Sequence, residues 1–222
     1  PVKEFSDNEY LVMVTKNGII KKTPASEYES IRKSGKIAIT LKEGDELISI
    51  FKTTGNDNIF LATRNGMAIC FNENDARAVG RTASGVKAID LADGDYVVGA
   101  EPVREDSKVL LVTDGGYGKC TDLTSFRIQH RGGKGLKAYK ITEKTGNIIG
   151  ISMVNDSEEL IMVTSEGVVI RIRIKDIATT TGRITQGVRL INLDDGVTVV
   201  SMDKISAEDA VEEESEENNT EV

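Results

Sequence analysis

The stretch Leu11-Val-Met-Val-Thr-Lys-Asn-Gly18 recurs along the chain as Ile59-Phe-Leu-Ala-Thr-Arg-Asn-Gly66, Val109-Leu-Leu-Val-Thr-Asp-Gly-Gly116 and Leu160-Ile-Met-Val-Thr-Ser-Glu-Gly167. The final glycines of these four copies are 48, 50 and 51 residues apart. Each copy is a short run of aliphatic and β-branched residues, which favours a strand. Each run ends in a pair such as Asn-Gly, which supplies the positive φ values of a tight hairpin turn. The pattern therefore predicts four hairpins at regular intervals.

Two further glycine positions recur with the same period. A second glycine follows each hairpin glycine by 17 to 20 residues, in Ser34-Gly35, Ser84-Gly85, Lys134-Gly135 and Gln186-Gly187. It leads into apolar stretches such as 37–41 and 188–193. A third glycine, at 44, 94, 146 and 196, precedes another apolar stretch. We predict four repeats (1–53, 54–103, 104–154 and 155–205) of about four short strands each, an all-β, propeller-like fold.

The net charge of −8 comes from the end of the chain. Residues 207–222 hold eight of the 36 acidic residues and no Lys or Arg, so the 28 basic residues of the body are matched by as many acidic ones. A run of this kind cannot bury enough apolar surface to offset its ordering entropy. We predict a disordered acidic tail at 206–222, with simple solvation as the alternative to a regulatory role.

The residues give no indication of catalysis, a metal or another cofactor. His130 is the only histidine, and the sequence places no carboxylate or nucleophile near it. No apolar run approaches the roughly 20 residues of a membrane span, and the start lacks a signal peptide, so we expect a cytoplasmic protein without membrane contact. Cys70 and Cys120 each lie four residues after a hairpin glycine. Equivalent positions in stacked sheets lie about 10 Å apart, too far for a disulfide, so we predict free thiols.

One glycine-rich segment concentrates positive charge. Between residues 127 and 140 lie five basic residues and a histidine, namely Arg127, His130, Arg131, Lys134, Lys137 and Lys140. Glycines at 132, 133 and 135 allow backbone N–H groups to point at an anion. The segment predicts a phosphate site, and the alternative is a flexible, solvated loop.

The corresponding segments of the other repeats are also basic. They contain Arg32, Lys33 and Lys36, then Arg77, Arg81 and Lys87, then Arg183 and Arg189. If these segments face one edge of the fold, they form a rim that binds duplex DNA through its phosphates while the DNA bends. Ordinary surface charges are the alternative. The few aromatic residues argue against a single-strand platform built by stacking.

Three segments resemble a known family: Gly80-Arg-Thr-Ala-Ser-Gly-Val86, Gly115-Gly-Tyr-Gly-Lys119 and Gln129-His-Arg-Gly-Gly-Lys-Gly135. Together with the repeats they are similar to the C-terminal domain of the DNA gyrase A protein, of the type IIA topoisomerases, over residues 1–205. The resemblance implies a six-bladed β-pinwheel of which this chain holds blades three to six. It implies a bacterial protein that wraps duplex DNA, with the rest of the gyrase A protein and the gyrase B protein as partners. The match of 1–4 to 102–105 further suggests that the chain is a fragment cut after a preceding blade.

Residues 129–135 resemble the gyrase box, Gln-Arg-Arg-Gly-Gly-Lys-Gly. His130 stands where the family has Arg, and the family's box lies in the first blade. The resemblance implies DNA contact by Arg131 and Lys134 and close approach of the phosphate backbone at Gly132, Gly133 and Gly135. We expect Arg131 and Lys134 to serve DNA binding and not the fold. Two alternatives remain: the equivalent domain of topoisomerase IV, with fewer blades and degraded boxes, and a protein-interaction propeller of the WD40 or kelch kind.

Overall fold

The computed structural model describes residues 5–30 and 35–206. The predicted basic residues Arg32 and Lys33, and the predicted tail from residue 207 onward, lie outside the described residues. The all-β prediction is confirmed. The strands are β1 (Tyr10–Thr15), β2 (Ile19–Pro24), β3 (Leu47–Thr53), β4 (Asn58–Thr63), β5 (Met67–Asn72), β6 (Val86–Lys87), β7 (Val97–Pro102), β8 (Lys108–Thr113), β9 (Tyr117–Asp122), β10 (Leu136–Lys137), β11 (Ile148–Val154), β12 (Glu159–Thr164), β13 (Val169–Arg173), β14 (Thr179–Thr180), β15 (Val188–Arg189) and β16 (Val199–Ile205).

Each sheet has the same antiparallel centre, and we call each sheet a blade. The hairpins predicted from the repeat are β1–β2, β4–β5, β8–β9 and β12–β13, and the first strand of each also pairs with a later strand of its own repeat, β3, β7, β11 or β16. Single-turn 3-10 helices follow the hairpins at Ala25–Tyr28, Glu73–Asp75, Leu123–Ser125 and Ile174–Asp176. The predicted propeller-like series of small sheets is therefore present.

The fourth strand of a blade differs from the prediction. Sequence placed it within its own repeat, at stretches such as 37–41 and 188–193. In the first three blades it is only two residues long and comes from the following repeat: β6 pairs with β2, β10 with β5 and β15 with β9. The third blade has a further short strand, β14, parallel to β9, and the fourth blade has three strands within the described residues. Residues 37–41 form no strand. We call β6, β10 and β15 the crossover strands and Gly35, Gly85, Gly135 and Gly187 the crossover glycines. Strand exchange is a tertiary arrangement that a periodic pattern alone does not distinguish from a self-contained sheet.

The repeated threonine of the hairpin motif has a structural task. Its hydroxyl oxygen accepts the N–H of the residue four positions later, at 3.2 Å from Ile19 to Thr15, from Met67 to Thr63 and from Tyr117 to Thr113, and at 3.1 Å from Val168 to Thr164. The hairpin glycine lies between the two partners, with a φ of +77° at Gly18, a conformation that glycine adopts without a steric penalty. The Thr-x-x-Gly spacing thus closes each hairpin.

The chain forms two compact halves. The first comprises Pro1–Arg104 and Phe126–Ala138, and the second Glu105–Ser125 and Tyr139–Val222. The first half has a core that joins the first two blades, including Val12, Ile59, Leu61 and Phe71. The second half has its own core, including Leu110, Val112, Leu160 and Met162. Residues 126–138, which sequence assigns to the third repeat, therefore fold with the first half.

Both cysteines are free and buried, as predicted. Burial raises the pKa of the Cys70 and Cys120 thiols to about 11, which disfavours the thiolate. Within residues 5–30 and 35–206, no helix is long and apolar enough to cross a membrane.

Candidate nucleic-acid interface

The segment predicted to bind phosphate covers residues 127–140, and its first part, residues 127–135, is here called the box loop. It runs directly into the crossover strand β10, whose Leu136 and Lys137 pair with Ala68 and Met67 of β5. Gly135 has a φ of +74°, and a Cβ added there would lie 2.3 Å from the Ala68 carbonyl oxygen. Only glycine lets the two backbones approach this closely. The last glycine of the box loop therefore serves the attachment of the loop to the second blade.

Arg131 is bound to the protein's own backbone. Its Nε donates to the Asp75 carbonyl oxygen at 2.7 Å, and its Nη1 donates to the Lys87 carbonyl oxygen at 2.9 Å. Its backbone N–H also donates to the Asp75 carboxylate at 3.2 Å. These bonds contradict the expectation that Arg131 has no part in the fold. Contact between Arg131 and DNA stays a prediction. It would be made by the guanidinium N–H groups that do not take part in these backbone bonds.

His130 lies beside a carboxylate that the sequence does not reveal. Its Nδ1 lies 3.2 Å from Oδ2 of Asp75, a residue 55 positions earlier in the chain. The expectation that no carboxylate is near His130 was therefore wrong, because the box loop folds against the 3-10 turn of the second blade. The imidazole is 98% exposed, so it remains accessible to a ligand while its ring is oriented by Asp75.

The other basic residues in the box loop and in the strand that follows it are exposed. Arg127, Lys134 and Lys137 are all exposed, and so is Gly133. A Cβ added at Gly133 would meet nothing closer than the His130 carbonyl oxygen at 3.9 Å. Lys134 lies near Asp90 of the preceding loop. The hydrogen bond from Lys87 lowers the pKa of the Asp90 carboxyl, and the positive charges of Lys87 and Lys134 add to this effect. Gly133 and Lys134 are thus open to an anion, as are the exposed side chains of Arg127 and His130.

One backbone hydrogen bond recurs beside the crossover glycines in both halves. The N–H five residues after a crossover glycine donates to the carbonyl oxygen two residues before the next crossover glycine. The three bonds are Thr40 N–H to Ala83 O at 3.3 Å, Asp90 N–H to Gly133 O at 2.9 Å, and Lys140 N–H to Thr185 O at 3.0 Å. Each lies within one compact half. The backbone around the crossover glycines is therefore held in the same way in both halves, while the grouping of all basic loops on one rim stays a prediction.

Two arginine side chains also bond to the backbone of the preceding loop. Arg81 Nη1 donates to the Ile37 carbonyl oxygen at 2.7 Å, and Arg131 Nη1 donates to that of Lys87. Both arginines lie four residues before a crossover glycine, and both acceptors lie two residues after the preceding one. Within the first half, this brings Arg81, Lys87 and the box loop onto one continuous stretch of surface.

The fourth repeat carries a different cluster, which lies wholly in the second half. The exposed Arg189 donates through Nε and Nη2 to the Tyr117 hydroxyl oxygen, at 3.1 and 2.9 Å. The Lys144 ammonium lies 5.4 Å from the centre of the same ring. The hydrogen bond from Arg189, aided by both positive charges, lowers the pKa of Tyr117. Arg189 and Lys144 together form a second positive patch.

The other predicted residues are less closely grouped. Arg77 is exposed, Arg183 and Gln129 are partly buried, and the side-chain nitrogen of Gln129 is a buried donor without a hydrogen-bond partner. Lys36 is partly buried and donates to the Glu27 carbonyl oxygen at 3.2 Å. The Lys36 ammonium group is therefore at least partly engaged within the protein.

Two lysines that sequence reasoning missed lie beneath these loops. Lys21 and Lys119 are buried in the second strand of their hairpins and donate to carbonyl oxygens of the basic loops. Burial lowers the pKa of each to about 8. The neighbouring guanidinium of Arg81 adds to the shift at Lys21, where the Glu27 carboxylate opposes it, and that of Arg183 adds to the shift at Lys119. The available signal was a lysine at the position, three residues after the hairpin glycine, where the other two hairpins have Ile69 and Ile170.

Among residues 5–30 and 35–206, no group of three or more His, Cys, Asp or Glu side chains is placed to hold a metal ion.

Comparison with known proteins agrees with the repeat. A family model described as the DNA gyrase C-terminal domain, beta-propeller, matches residues 9–54, 57–104, 107–155 and 158–206. The chain is 55% identical over 216 residues to the DNA gyrase A protein of Halalkalibacterium halodurans, which covers 97% of this chain. It is 48% identical over 221 residues to that of Clostridium acetobutylicum, which covers 100%. The chain spans 26% of the length of each of these relatives.

Solved structures show the same fold. The C-terminal domain of DNA topoisomerase IV matches with a TM-score of 0.89 at 29% identity, covering 100% of this chain and 70% of that one. A DNA gyrase A C-terminal domain matches with a TM-score of 0.81 at 26% identity, covering 92% and 68%. Because the family model matches most of the chain in four consecutive copies, the protein belongs to the DNA gyrase A C-terminal domain family.

Proposed function

We propose that this domain binds duplex DNA along its basic loops and bends it, so that the DNA wraps around the domain. The observation that carries the proposal is the repeated connection between loops, in which Asp90 N–H donates to Gly133 O and Arg131 Nη1 donates to Lys87 O. These bonds align exposed cations of successive repeats, including Lys87, Lys134 and Lys137, on one surface of the first half. Such an alignment suits a rigid anionic backbone.

The chemistry of the surface favours phosphate contact over base reading. Lysine ammonium groups and backbone N–H groups bind phosphate oxygens without regard to sequence. Specificity would then come from how readily the DNA bends. We expect the whole set of basic residues predicted above to take part, with Arg131 contributing less than Lys134 because two of its donors are committed to the backbone.

The activity of the longer protein is part of the proposal. We infer that the domain acts within a bacterial, cytoplasmic type II topoisomerase, joined to the rest of the gyrase A protein and working with the gyrase B protein. Cutting and resealing of DNA would belong to other parts of that enzyme, and this domain would supply the wrapping that sets the direction of supercoiling. We propose no cofactor for the domain itself.

A role in topoisomerase IV is the second candidate, favoured by the TM-score of 0.89 to its C-terminal domain. The identity to that domain is 29%, against 55% and 48% to the two gyrase A proteins. The Arg-Gly-Gly-Lys-Gly run at 131–135 also matches the gyrase box. The gyrase assignment therefore has the stronger support.

DNA binding over a salt series tests the proposal. The affinity of the chain for duplexes of unrelated sequence should be similar. The logarithm of the binding constant should fall linearly with the logarithm of the salt concentration, with a slope of about −0.9 per phosphate contact. Wrapping would appear as a change in the linking number of a nicked circle that is sealed by ligase in the presence of the chain, relative to the same circle sealed without it. Binding without a salt dependence, or to one sequence alone, would contradict the proposal.

A further inference from the structure

A lysine is buried in the second hairpin strand of two blades out of four. Lys21 and Lys119 each lie three residues after the hairpin glycine, and their relative exposures are 1% and 0%. The other two hairpins have Ile69 and Ile170 at this position, so the strand itself accommodates an aliphatic side chain. Because burying an ammonium group is costly unless its donors are satisfied, the two lysines need partners that the isoleucines do not.

The partners of Lys119 all belong to the basic loop of the fourth repeat. Its Nζ donates to the Arg183 carbonyl oxygen at 2.5 Å, to the Thr185 hydroxyl at 3.0 Å and to the Gly182 carbonyl oxygen at 3.5 Å. These three acceptors match the three donors of an ammonium group. The ring centre of the buried Tyr139 lies 5.2 Å from the same nitrogen, and its hydroxyl donates to the Gln186 carbonyl oxygen at 2.6 Å.

Lys21 makes the corresponding bonds in the first half. Its Nζ donates to the Arg81 carbonyl oxygen at 2.6 Å and to that of Ala38 at 2.5 Å. Arg81 and Arg183 hold the same place, four residues before their crossover glycines. Two independent repeats therefore use a buried lysine to bind the backbone of an arginine that sequence places on the DNA-binding rim.

Fixing these carbonyl groups also decides what the loops present to solvent. The C=O and N–H of a trans peptide unit point in opposite directions. When the Arg183 carbonyl oxygen is drawn inward to Lys119, the N–H of Ile184 is turned away from the strand, and Arg81 and Thr82 are related in the same way. An outward N–H group beside an arginine side chain is a donor that a phosphate oxygen can accept from.

We propose that Lys21 and Lys119 are positioning residues that hold the basic loops of the second and fourth repeats in the conformation that receives a DNA phosphate. This rests on the proposed function, because it presupposes that these loops meet DNA. The lysines do not themselves touch the DNA. They act through the arginine-containing loops above them.

A double-mutant cycle on the whole chain tests the inference. The variants are Lys119→Met, which removes the ammonium group but keeps the length of the side chain, Arg183→Ala, and the two combined. Each is measured for duplex DNA affinity at low salt, at a temperature where circular dichroism shows every variant folded. Val154→Ala is the matched control for stability, because it truncates a buried side chain at the far end of the same sheet, where Val154 pairs with Lys108.

We expect Lys119→Met and Arg183→Ala each to weaken binding by roughly three- to tenfold, as loss of one phosphate contact would, and to lower the salt slope by about 0.9. The double variant should bind like Lys119→Met alone, since residues acting through one contact are not additive. Val154→Ala should lower the melting temperature without changing the affinity. Additive losses, or an unchanged affinity in Lys119→Met while Arg183→Ala is weakened, would overturn the inference. An unchanged affinity in Arg183→Ala would instead contradict the proposed role of this loop in DNA binding.

Discussion

The box loop and the basic loop of the fourth repeat, residues 182–187, have similar backbone positions that are fixed by different residues. Both end in a crossover glycine whose added Cβ would lie 2.3 Å from a carbonyl oxygen of the preceding hairpin, Ala68 O for Gly135 and Gly118 O for Gly187. The box loop is held by the side chain of its own Arg131, which donates to backbone carbonyl groups of the second repeat. The loop at 182–187 is held by Lys119, a buried residue of the neighbouring strand β9.

The difference teaches which cations are available to DNA. In the box loop, Arg131 maintains the backbone geometry, and its donors are therefore less available to a phosphate. The strand position equivalent to Lys119 is occupied by Ile69. In the fourth repeat, a buried lysine holds the loop from the strand. A basic residue within a basic loop therefore does not by itself indicate DNA contact, and the following predictions separate the two roles.

The largest effect is expected at the crossover glycine. Gly135→Ala should destabilise the chain by about 2–4 kcal/mol, because it adds backbone strain at positive φ to a clash with the Ala68 carbonyl group. Denaturant unfolding measures the change. Gly133→Ala is the matched control, since its Cβ has room, and it should leave the unfolding free energy within about 0.5 kcal/mol while weakening DNA binding. Equal stability of the two variants would show that β10 does not need its close approach to β5.

Substitution of Arg131 should mainly lower the stability of the chain, whereas substitution of Lys134 should mainly weaken DNA binding. Arg131→Ala should cost about 1–3 kcal/mol of unfolding free energy, because it removes two hydrogen bonds to backbone carbonyl groups from a charged donor. Lys134→Ala should leave that free energy nearly unchanged and should lower the salt slope of DNA binding by about 0.9. Chemical denaturation and a salt titration of both variants provide the comparison. If Arg131→Ala is as stable as the parent, the bonds to Asp75 and Lys87 contribute nothing.

The buried lysines should make the unfolding free energy depend on pH. Their pKa is about 8 in the folded chain, against an ordinary value of 10.5. Between these values the unfolded chain binds more protons, so the unfolding free energy should rise with pH from about 8, by about 1 kcal/mol or less per lysine up to pH 9. Above pH 9, the raised pKa of Cys70 and Cys120 acts in the opposite direction, because there the folded chain binds more protons.

Stability curves of the parent, Lys21→Met and Lys119→Met between pH 7.5 and 9 test this sign. Each variant should show a smaller rise than the parent, since Met does not titrate. The groups that face Lys21 are Arg81, Glu27 and Tyr28, and those that face Lys119 are Arg183 and Tyr139. Identical slopes in all three proteins would mean that neither lysine changes its proton affinity on folding.

The smallest effect is expected from residues 206–222, of which 207–222 lie outside the described residues. An anionic segment tethered near a basic surface competes with DNA through its effective concentration. The sequence predicts disorder here, and a disordered chain of 16 residues spans roughly 20–24 Å, a reach predicted to include Arg171, Arg173, Arg183 and Arg189 of the fourth repeat. Deletion should therefore tighten DNA binding slightly at low salt, with less gain as screening increases. Equal affinities at low salt would leave the segment a solvated appendage.

The local elements could be predicted from the sequence because each depends on neighbouring residues. The Thr-x-x-Gly spacing and the β-branched runs before it determined four hairpins, since turn geometry and side-chain alternation are short-range properties. The separation of the charged segment at 207–222 from the balanced body was equally plain in the sequence. The same local patterns indicated free cysteines and the basic segments of each repeat.

Which strand completes which blade was decided only by the tertiary structure. Val86, Leu136 and Val188 are placed on the preceding repeat because their crossover glycines fit against its backbone, a contact between residues more than 60 positions apart. The same exchange sets Asp75 against His130 and Lys119 beneath Arg183. Sequence periodicity shows that such residues recur, but the division of arginines and lysines between backbone and solvent follows from packing between repeats.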